Sequence, residues 1–421
     1  RSTYFAPNAN QPMKNVCRVV LLSLCAGLLT GCHFIKVPKL AKQGDVTQSD
    51  YLHEVPFDYS KGLILVDVLI NGKTYNFVFD TGAELSVIGE HITDAVDHKV
   101  IASAKVKATQ NKSESKVHFI RIPSIILASV DFENTGAIIA DLSHMNEPFG
   151  CRPIDGIIGN NLMRKAAWQI DYAAERIRVS DSTGKFSVSE QASALVMDAG
   201  RFRNVFFDVT IDSVSARFAF DTGSTGNILA DSSFFARLQA KNPALEYTST
   251  TGFTSTDLNG KQTGRTISAR VKRIDIEGLV IPDQIILLSG RSTYLMGNEV
   301  YEHFILTIDW EHDTLFLDPT KPVEADTLKG FEIRIVPNFV TRQMEIARFQ
   351  DQYPLADPIA MDAKILKINA VDVSHFTMDE LCTYWEQEEE NFRNTNTLDL
   401  ELLDEGVTKQ VRLTNKVLLP K

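Results

Sequence analysis

From about residue 55 onward the chain is written in short apolar alternations, not in helical stripes. Leu65-Val66-Asp67-Val68-Leu69-Ile70-Asn71 and Asn76-Phe77-Val78-Phe79 flank a polar turn at Asn71-Gly72, a pattern that predicts a β-hairpin. The pattern returns further along the chain: Phe206-Phe207-Asp208-Val209-Thr210-Ile211-Asp212, a turn at Asp212-Ser213, then Arg217-Phe218-Ala219-Phe220. A second pair of anchors follows in the same order. Ile157-Ile158-Gly159-Asn160 answers Leu295-Met296-Gly297-Asn298. Without a gap, Ile170-Asp171-Tyr172 then answers Ile308-Asp309-Trp310, and Ile177-Arg178-Val179 answers Leu315-Phe316-Leu317, each predicting a closing hairpin. Between the anchors, residues 120–139 and 267–288 alternate or run apolar with few helix signals. The chain is therefore expected to hold two tandem, duplicated β units, each the size of a small barrel or sandwich.

Both first hairpins deliver the same three residues, Asp80-Thr81-Gly82 and Asp221-Thr222-Gly223. Phe-x-Phe at period two turns both rings to one face and buries it, so the aspartate that follows stands at the rim of an apolar core. Ionising a carboxyl there without partners is costly. Glycine lets the chain turn tightly and brings backbone N–H groups near the carboxylate, and threonine adds a hydroxyl beside it. One such site is a stabilised turn. Two, on duplicated units, can face each other across a pseudo-dyad, and carboxylates about 3 Å apart cannot both ionise. They share a proton and so offer an acid and a base at one point, able to activate water against a carbonyl. Ser224 follows the second glycine where Ala83 follows the first. A hydroxyl donating to the neighbouring carboxylate would leave the charge on Asp221 and the proton on Asp80.

These motifs resemble the retropepsin-like aspartic proteases, whose Asp-Thr/Ser-Gly is followed by two hydrophobic residues and a glycine that cross behind the active-site loop. Phe79-Asp80-Thr81-Gly82 with Ile157-Ile158-Gly159, and Phe220-Asp221-Thr222-Gly223 with Leu295-Met296-Gly297, carry the resemblance over about residues 55–320. It implies a catalytic pair, Asp80 and Asp221, with Thr81, Gly82, Thr222, Gly223 and Ser224 supporting the active-site loops. It implies an aspartic endopeptidase with a polypeptide substrate, water as nucleophile, and neither metal nor organic cofactor. Both halves sit on one chain, so a monomer carries the pseudo-twofold internally. The competing reading is a catalytically silent peptide-binding lipoprotein on the same fold. The family closes over substrate with a hairpin. Residues 109–116 and Leu258-Asn259-Gly260-Lys261 are polar turns that serve either as such flaps or as plain surface turns.

Beyond residue 326 the texture changes. Ala363-Lys364-Ile365-Leu366-Lys367-Ile368-Asn369-Ala370-Val371-Asp372-Val373 predicts strand, turn and strand; Thr377-Met378-Asp379-Glu380-Leu381 a capped helix start; Leu398 to Leu402 and Val407 to Leu413 two more strands. The order resembles the later half of a PDZ domain, which implies peptide binding by strand addition or, equally, a module that packs on the lobes. Glu386 to Glu390 is an acidic run, expected as a solvated helix end or loop.

At the other end, Lys14 and Arg18 precede an apolar run from Val19 to Leu29, closed by Leu29-Thr30-Gly31-Cys32. Basic, apolar, small is the order of a secretory signal, and its core is shorter than the roughly 20 residues a spanning helix needs. The last four residues resemble the lipobox of bacterial lipoproteins. That implies a lipid on Cys32, a bilayer as partner, and a place in the cell envelope, on the periplasmic or outer-membrane face. The expected organisation is mainly β: signal segment 1–31, tether 32–54, retropepsin-like barrel lobes at 55–188 and 189–325, and a PDZ-like α+β domain at 326–421. Composition adds exclusions. A formal charge of −11 over 421 residues, without a basic stripe, argues against nucleic acid. No His-Glu-x-x-His, Gly-x-Ser-x-Gly or phosphate-cradling loop occurs. With Cys17 and Cys25 in the signal segment and Cys32 lipidated, Cys151 and Cys382 remain, expected as two buried free thiols in different domains.

Overall fold

The computed structural model describes residues 38–107, 114–147, 149, 151–199, 204–257, 260–290, 294–323 and 327–420. The signal segment and Cys32 lie outside them, as do residues 109–113 of one expected flap turn and Leu258-Asn259 of the other. The chain is mainly β, with barrel-like sheets. In the first hairpin, Leu65–Ile70 pairs antiparallel with Lys73–Phe79. Its turn residues Asn71 and Gly72 both take positive φ, 53° and 74°, the two-residue turn whose twist matches that of the strands. Val205–Ile211 pairs in the same way with Val214–Phe220. Here Asp212 (φ 41°) and Ser213 (φ 70°) hold the same left-handed pair without a glycine. Two amides, those of Lys272 and Arg273, donate to the Asp212 carboxylate and hold the turn.

The second anchors slot in beside the first. Gly156–Ile158 runs parallel to Lys73–Phe79, with Phe79 opposite Ile158, and Leu295–Met296 runs parallel to Val214–Phe220, with Phe220 opposite Met296. Phe77, Phe79, Phe218 and Phe220 are fully buried. The closing hairpins, Ala167–Asp171 with Arg176–Ser180 and Phe304–Asp309 with Thr314–Pro319, meet edge to edge. Leu52–Asp58 flanks one side and Ser193–Val196 the other, so six strands from both halves lie side by side within one 13-stranded sheet. One hydrophobic core runs through both units.

The C-terminal segment has its own core around Ile335, Leu381, Trp385 and Leu400. The helix Met378–Asn394 starts on a capping box between Thr377 and Glu380, and the acidic run Glu386 to Glu390 lies within it, not at its end. A four-stranded sheet orders Val371–Asp372, Lys364–Ile368, Thr397–Asp404 and Val407–Thr414. The hairpin Ile333–Asn338/Gln343–Gln350, by contrast, extends the sheet of the second lobe: Gln343–Gln350 pairs with Tyr247–Asp257. The expectation of two buried free thiols is corrected. Cys151 and Cys382 form a disulfide with Cα atoms 5.6 Å apart, and neither is fully buried. They are 231 residues apart in sequence, and only the packing of the helix start on the first lobe brings them together.

Candidate active site

Each aspartate is set by the strand before it and the crossing strand behind it. The Asp80 amide donates to Ile158 O (3.0 Å) and the Asp221 amide to Met296 O (3.1 Å). Each following threonine reaches into the opposite lobe. Thr81 N–H donates to Thr222 Oγ1 (3.0 Å) and Thr222 N–H to Thr81 Oγ1 (3.0 Å). Thr81 Oγ1 donates to Phe220 O (2.9 Å) and Thr222 Oγ1 to Phe79 O (2.7 Å). Both threonines are fully buried, so these reciprocal bonds satisfy groups that water cannot reach. They fix the two loops face to face.

The glycines then matter by what they leave room for. A Cβ on Gly82 would stand 2.5 Å from Asp221 Oδ1, and one on Gly223 within 2.6 Å of both Asp80 carboxyl oxygens. Each loop is glycine where the other lobe's carboxyl passes. The Asp80 carboxyl accepts from the amides of Gly82 (2.7 Å) and Ala83 (3.1 Å), and the Asp221 carboxyl from Gly223 (3.0 Å). Asp80 is also hydrogen-bonded to the Asp221 carboxyl and to the Gly223 amide. Burial pushes the Asp80 carboxyl above the usual carboxylate range. The hydrogen bonds from Gly82, Asp221, Ala83 and Gly223 pull it down and are outweighed. Two carboxyls in such contact titrate as a pair.

The Ser224 hydroxyl oxygen lies 2.9 Å from where a Gly297 Cβ would be. The residue supports the loop through its backbone: Ser224 N–H donates to Asp221 O (3.2 Å) and Ser224 O accepts from Asn298 N–H (2.9 Å).

Two asparagines complete the loops. Asn160 and Asn298, both fully buried, donate through Nδ2 to Thr81 O (2.6 Å) and Thr222 O (2.8 Å). Asn298 also donates to Gly62 O (2.9 Å) and accepts from the Tyr172 hydroxyl (2.8 Å), which ties both lobes to one amide. Sequence reasoning gave them no role, although their recurrence directly after Gly159 and Gly297 was the available signal. Both glycines are forced: a Cβ would stand 2.9 Å from Ala83 O at Gly159 and 2.6 Å from Ser224 O at Gly297. Tyr301 lies behind Asp221, its ring edge-on to Phe220 at 4.8 Å. Burial, helped by the Asp221 charge, pushes its phenol well up. Glu84, four residues after Asp80, is pushed by burial to about 7. Among the described residues no cluster of His, Cys, Asp and Glu is arranged to hold a metal ion.

The geometry pairs two loops through crossed threonines and brings their carboxyls into contact. Residues 66–162, which include Asp80-Thr81-Gly82 and Ile157-Ile158-Gly159, match the family model described as aspartyl protease. The match lies within the first lobe; Asp221-Thr222-Gly223 lies beyond it. No curated protein matches the chain.

Proposed function

We propose that the chain is an aspartic endopeptidase that hydrolyses peptide bonds with Asp80 and Asp221 as its catalytic pair. The observation that carries this reading is the contact between the two carboxyls, each held by the glycine turn of its own loop and by the opposite lobe. The pair holds one proton between the two carboxyls. The charged carboxylate removes a proton from a water lying between the two. The water oxygen attacks the scissile carbonyl carbon, and the protonated carboxyl donates to the carbonyl oxygen. The resulting diol collapses as the amide nitrogen takes a proton and the C–N bond breaks, leaving an acid and an amine. The crossed threonine bonds contribute by fixing both carboxyls before substrate arrives, so little reorganisation remains for the transition state.

The reading extends to the termini. Lipid on Cys32 anchors the chain to a bacterial envelope membrane, and residues 326–421 form a PDZ-like module whose strand edge accepts peptide. A silent peptide-binding protein on the same fold is the second reading. It is favoured by one observation: the Tyr247–Asp257 hairpin of the second lobe is paired along one edge with the C-terminal segment, so it is not a free flap. The purified full chain and its Asp80→Asn variant, assayed on a mixed peptide library, separate the two. Cleavage by the parent that is lost in the variant supports the endopeptidase. Persistence in the variant overturns the dyad, and no cleavage by either selects the silent binder.

A further inference from the structure

The C-terminal segment touches both lobes, and by different means. Towards the second lobe it is joined by sheet. Gln350, Phe349 and Arg348 pair with Thr250, Thr251 and Gly252. Asp351 accepts from Ser249, Thr251 and Arg265 (2.6, 2.8 and 3.1 Å), and Arg348 donates to Phe253 O (2.5 Å). Gly252 has φ +144°, and a Cβ there would stand 2.8 Å from Arg348 Cα, so this strand is shaped for the pairing. The hairpin so held, Tyr247–Asp257 with Gly260–Ile276, reaches the short helix Ser143–Asn146 of the first lobe. Leu142, beside that helix, belongs to the same apolar cluster as Ala83 of the Asp80 loop.

Towards the first lobe the attachment is of another kind. Cys151 is bonded to Cys382 on the helix Met378–Asn394. Beside it stand the Lys61–Glu389 ion pair (3.2 Å) and the donation from Phe339 N–H to Glu147 O (2.9 Å). The chain from Cys151 to the site is short. Arg152 O and Pro153 O accept from Asn76, and Gly156–Ile158 then runs to the carbonyl that receives the Asp80 amide. Cys151 lines a cavity of about 160 Å³ together with Asp58, Lys61, Phe149, Arg152 and Glu386, and both cysteines are partly exposed.

We propose that Cys151–Cys382 is a thiol–disulfide exchange site that takes a dithiol, protein or small molecule, as co-reactant, and that exchange there unfastens the C-terminal segment and the hairpin it carries from the first lobe. The thiolate of the dithiol attacks Cys151 Sγ, forming a mixed disulfide, and Cys382 leaves as thiolate and takes up a proton. The second thiol, deprotonated, attacks the dithiol's own sulfur in the mixed disulfide and expels Cys151 as thiolate, which is protonated in turn. The dithiol is oxidised to a disulfide, the protein pair is reduced by two electrons, and the reverse sequence closes it. With the covalent tie gone, the described contacts to the first lobe include the part-buried Lys61–Glu389 pair, the Phe339–Glu147 backbone hydrogen bond and the packing of the hairpin on Ser143–Asn146, which open more readily than the sheet on the other side. Exchange stands apart from catalysis; its consequence, entry of substrate under the released hairpin, rests on the proteolytic reading above.

The oxidised full chain is incubated near neutral pH with dithiothreitol, or with a reduced thioredoxin-type protein, then alkylated and mapped by mass spectrometry, with amide hydrogen exchange followed in parallel. The proposal expects both cysteines to be alkylated without denaturant, and exchange in 247–257 and 260–276 to quicken about tenfold or more while Leu65–Ile70 and Val205–Ile211 are unchanged. It is overturned if the cysteines are reached only after denaturation, or if hairpin protection is the same before and after reduction. A Cys151→Ser/Cys382→Ser chain should be permanently in the loosened state; should it not fold, the reduction series on the parent chain decides alone. A hairpin that loosens with no peptide cleavage in either redox state supports the exchange site and sinks the endopeptidase.

Discussion

Asn298 offers the most direct test of how the two loops are held. Its side chain is fully buried and serves Gly62 O, Thr222 O and the Tyr172 hydroxyl at 2.9, 2.8 and 2.8 Å. Asn298→Leu keeps the branched shape and removes all of these bonds. A stranded buried polar group costs about 1–3 kcal/mol, and Gly62 is only half-buried, so the expected loss is about 3–5 kcal/mol. Tyr172→Phe strands the amide oxygen alone and should cost about 1–2 kcal/mol. The two residues share a bond, so the double variant should cost less than the sum of the singles by about 1 kcal/mol. Urea denaturation of the full chain followed by far-UV circular dichroism reads all three. Coupling indistinguishable from zero, with Asn298→Leu costing under about 1 kcal/mol, would show that the amide is not the tie between lobes that its geometry describes.

Four further outcomes are expected. The folded-state pKa of Asp80 is raised, so the stability it contributes is full below its unfolded value and lost as pH rises through the folded one; Asp80→Asn should melt higher than the parent at neutral pH, with the gap closing in acid. Glu84 has the same sign, its pKa rising from 4.5 to about 7; with its partial exposure discounted, Glu84→Gln should gain about 1–2 kcal/mol over the parent between pH 5 and 8 in urea titrations. Gly223→Ala should abolish peptide cleavage through a methyl group driven into the Asp80 carboxyl, while its circular dichroism spectrum stays that of a folded chain. Gly252→Ala should cost about 2 kcal/mol or more and raise amide exchange in Gln343–Gln350, because φ +144° and the close Arg348 Cα exclude a side chain.

What could be read beforehand and what could not divides along the range of the interaction. The Phe-x-Phe strands, the polar turns and the Asp-Thr-Gly words are local, and duplication wrote each of them twice. Their pairing is legible because a period-two strand has one buried face and a carboxyl at its end has one place to stand. The capped helix start at Thr377 is legible for the same reason: donor and acceptor lie three residues apart. The Cys151–Cys382 bond and the pairing of Gln343–Gln350 with Tyr247–Asp257 join stretches far apart in the chain. No residue type or spacing announces either one. Ser224 was read for its hydroxyl, while the bonds visible at it are backbone ones, to Asp221 O and from Asn298 N–H. Asn160 and Asn298 were in plain view as the repeated residue after each glycine, yet their work only becomes visible once their amides are seen to donate to the buried Thr81 and Thr222 carbonyls. A polar residue that recurs beside a forced glycine is thus best read as serving the backbone of the aspartate loop in its own half, and the Asn298–Tyr172 cycle measures how much the cross-lobe bond at the same amide adds.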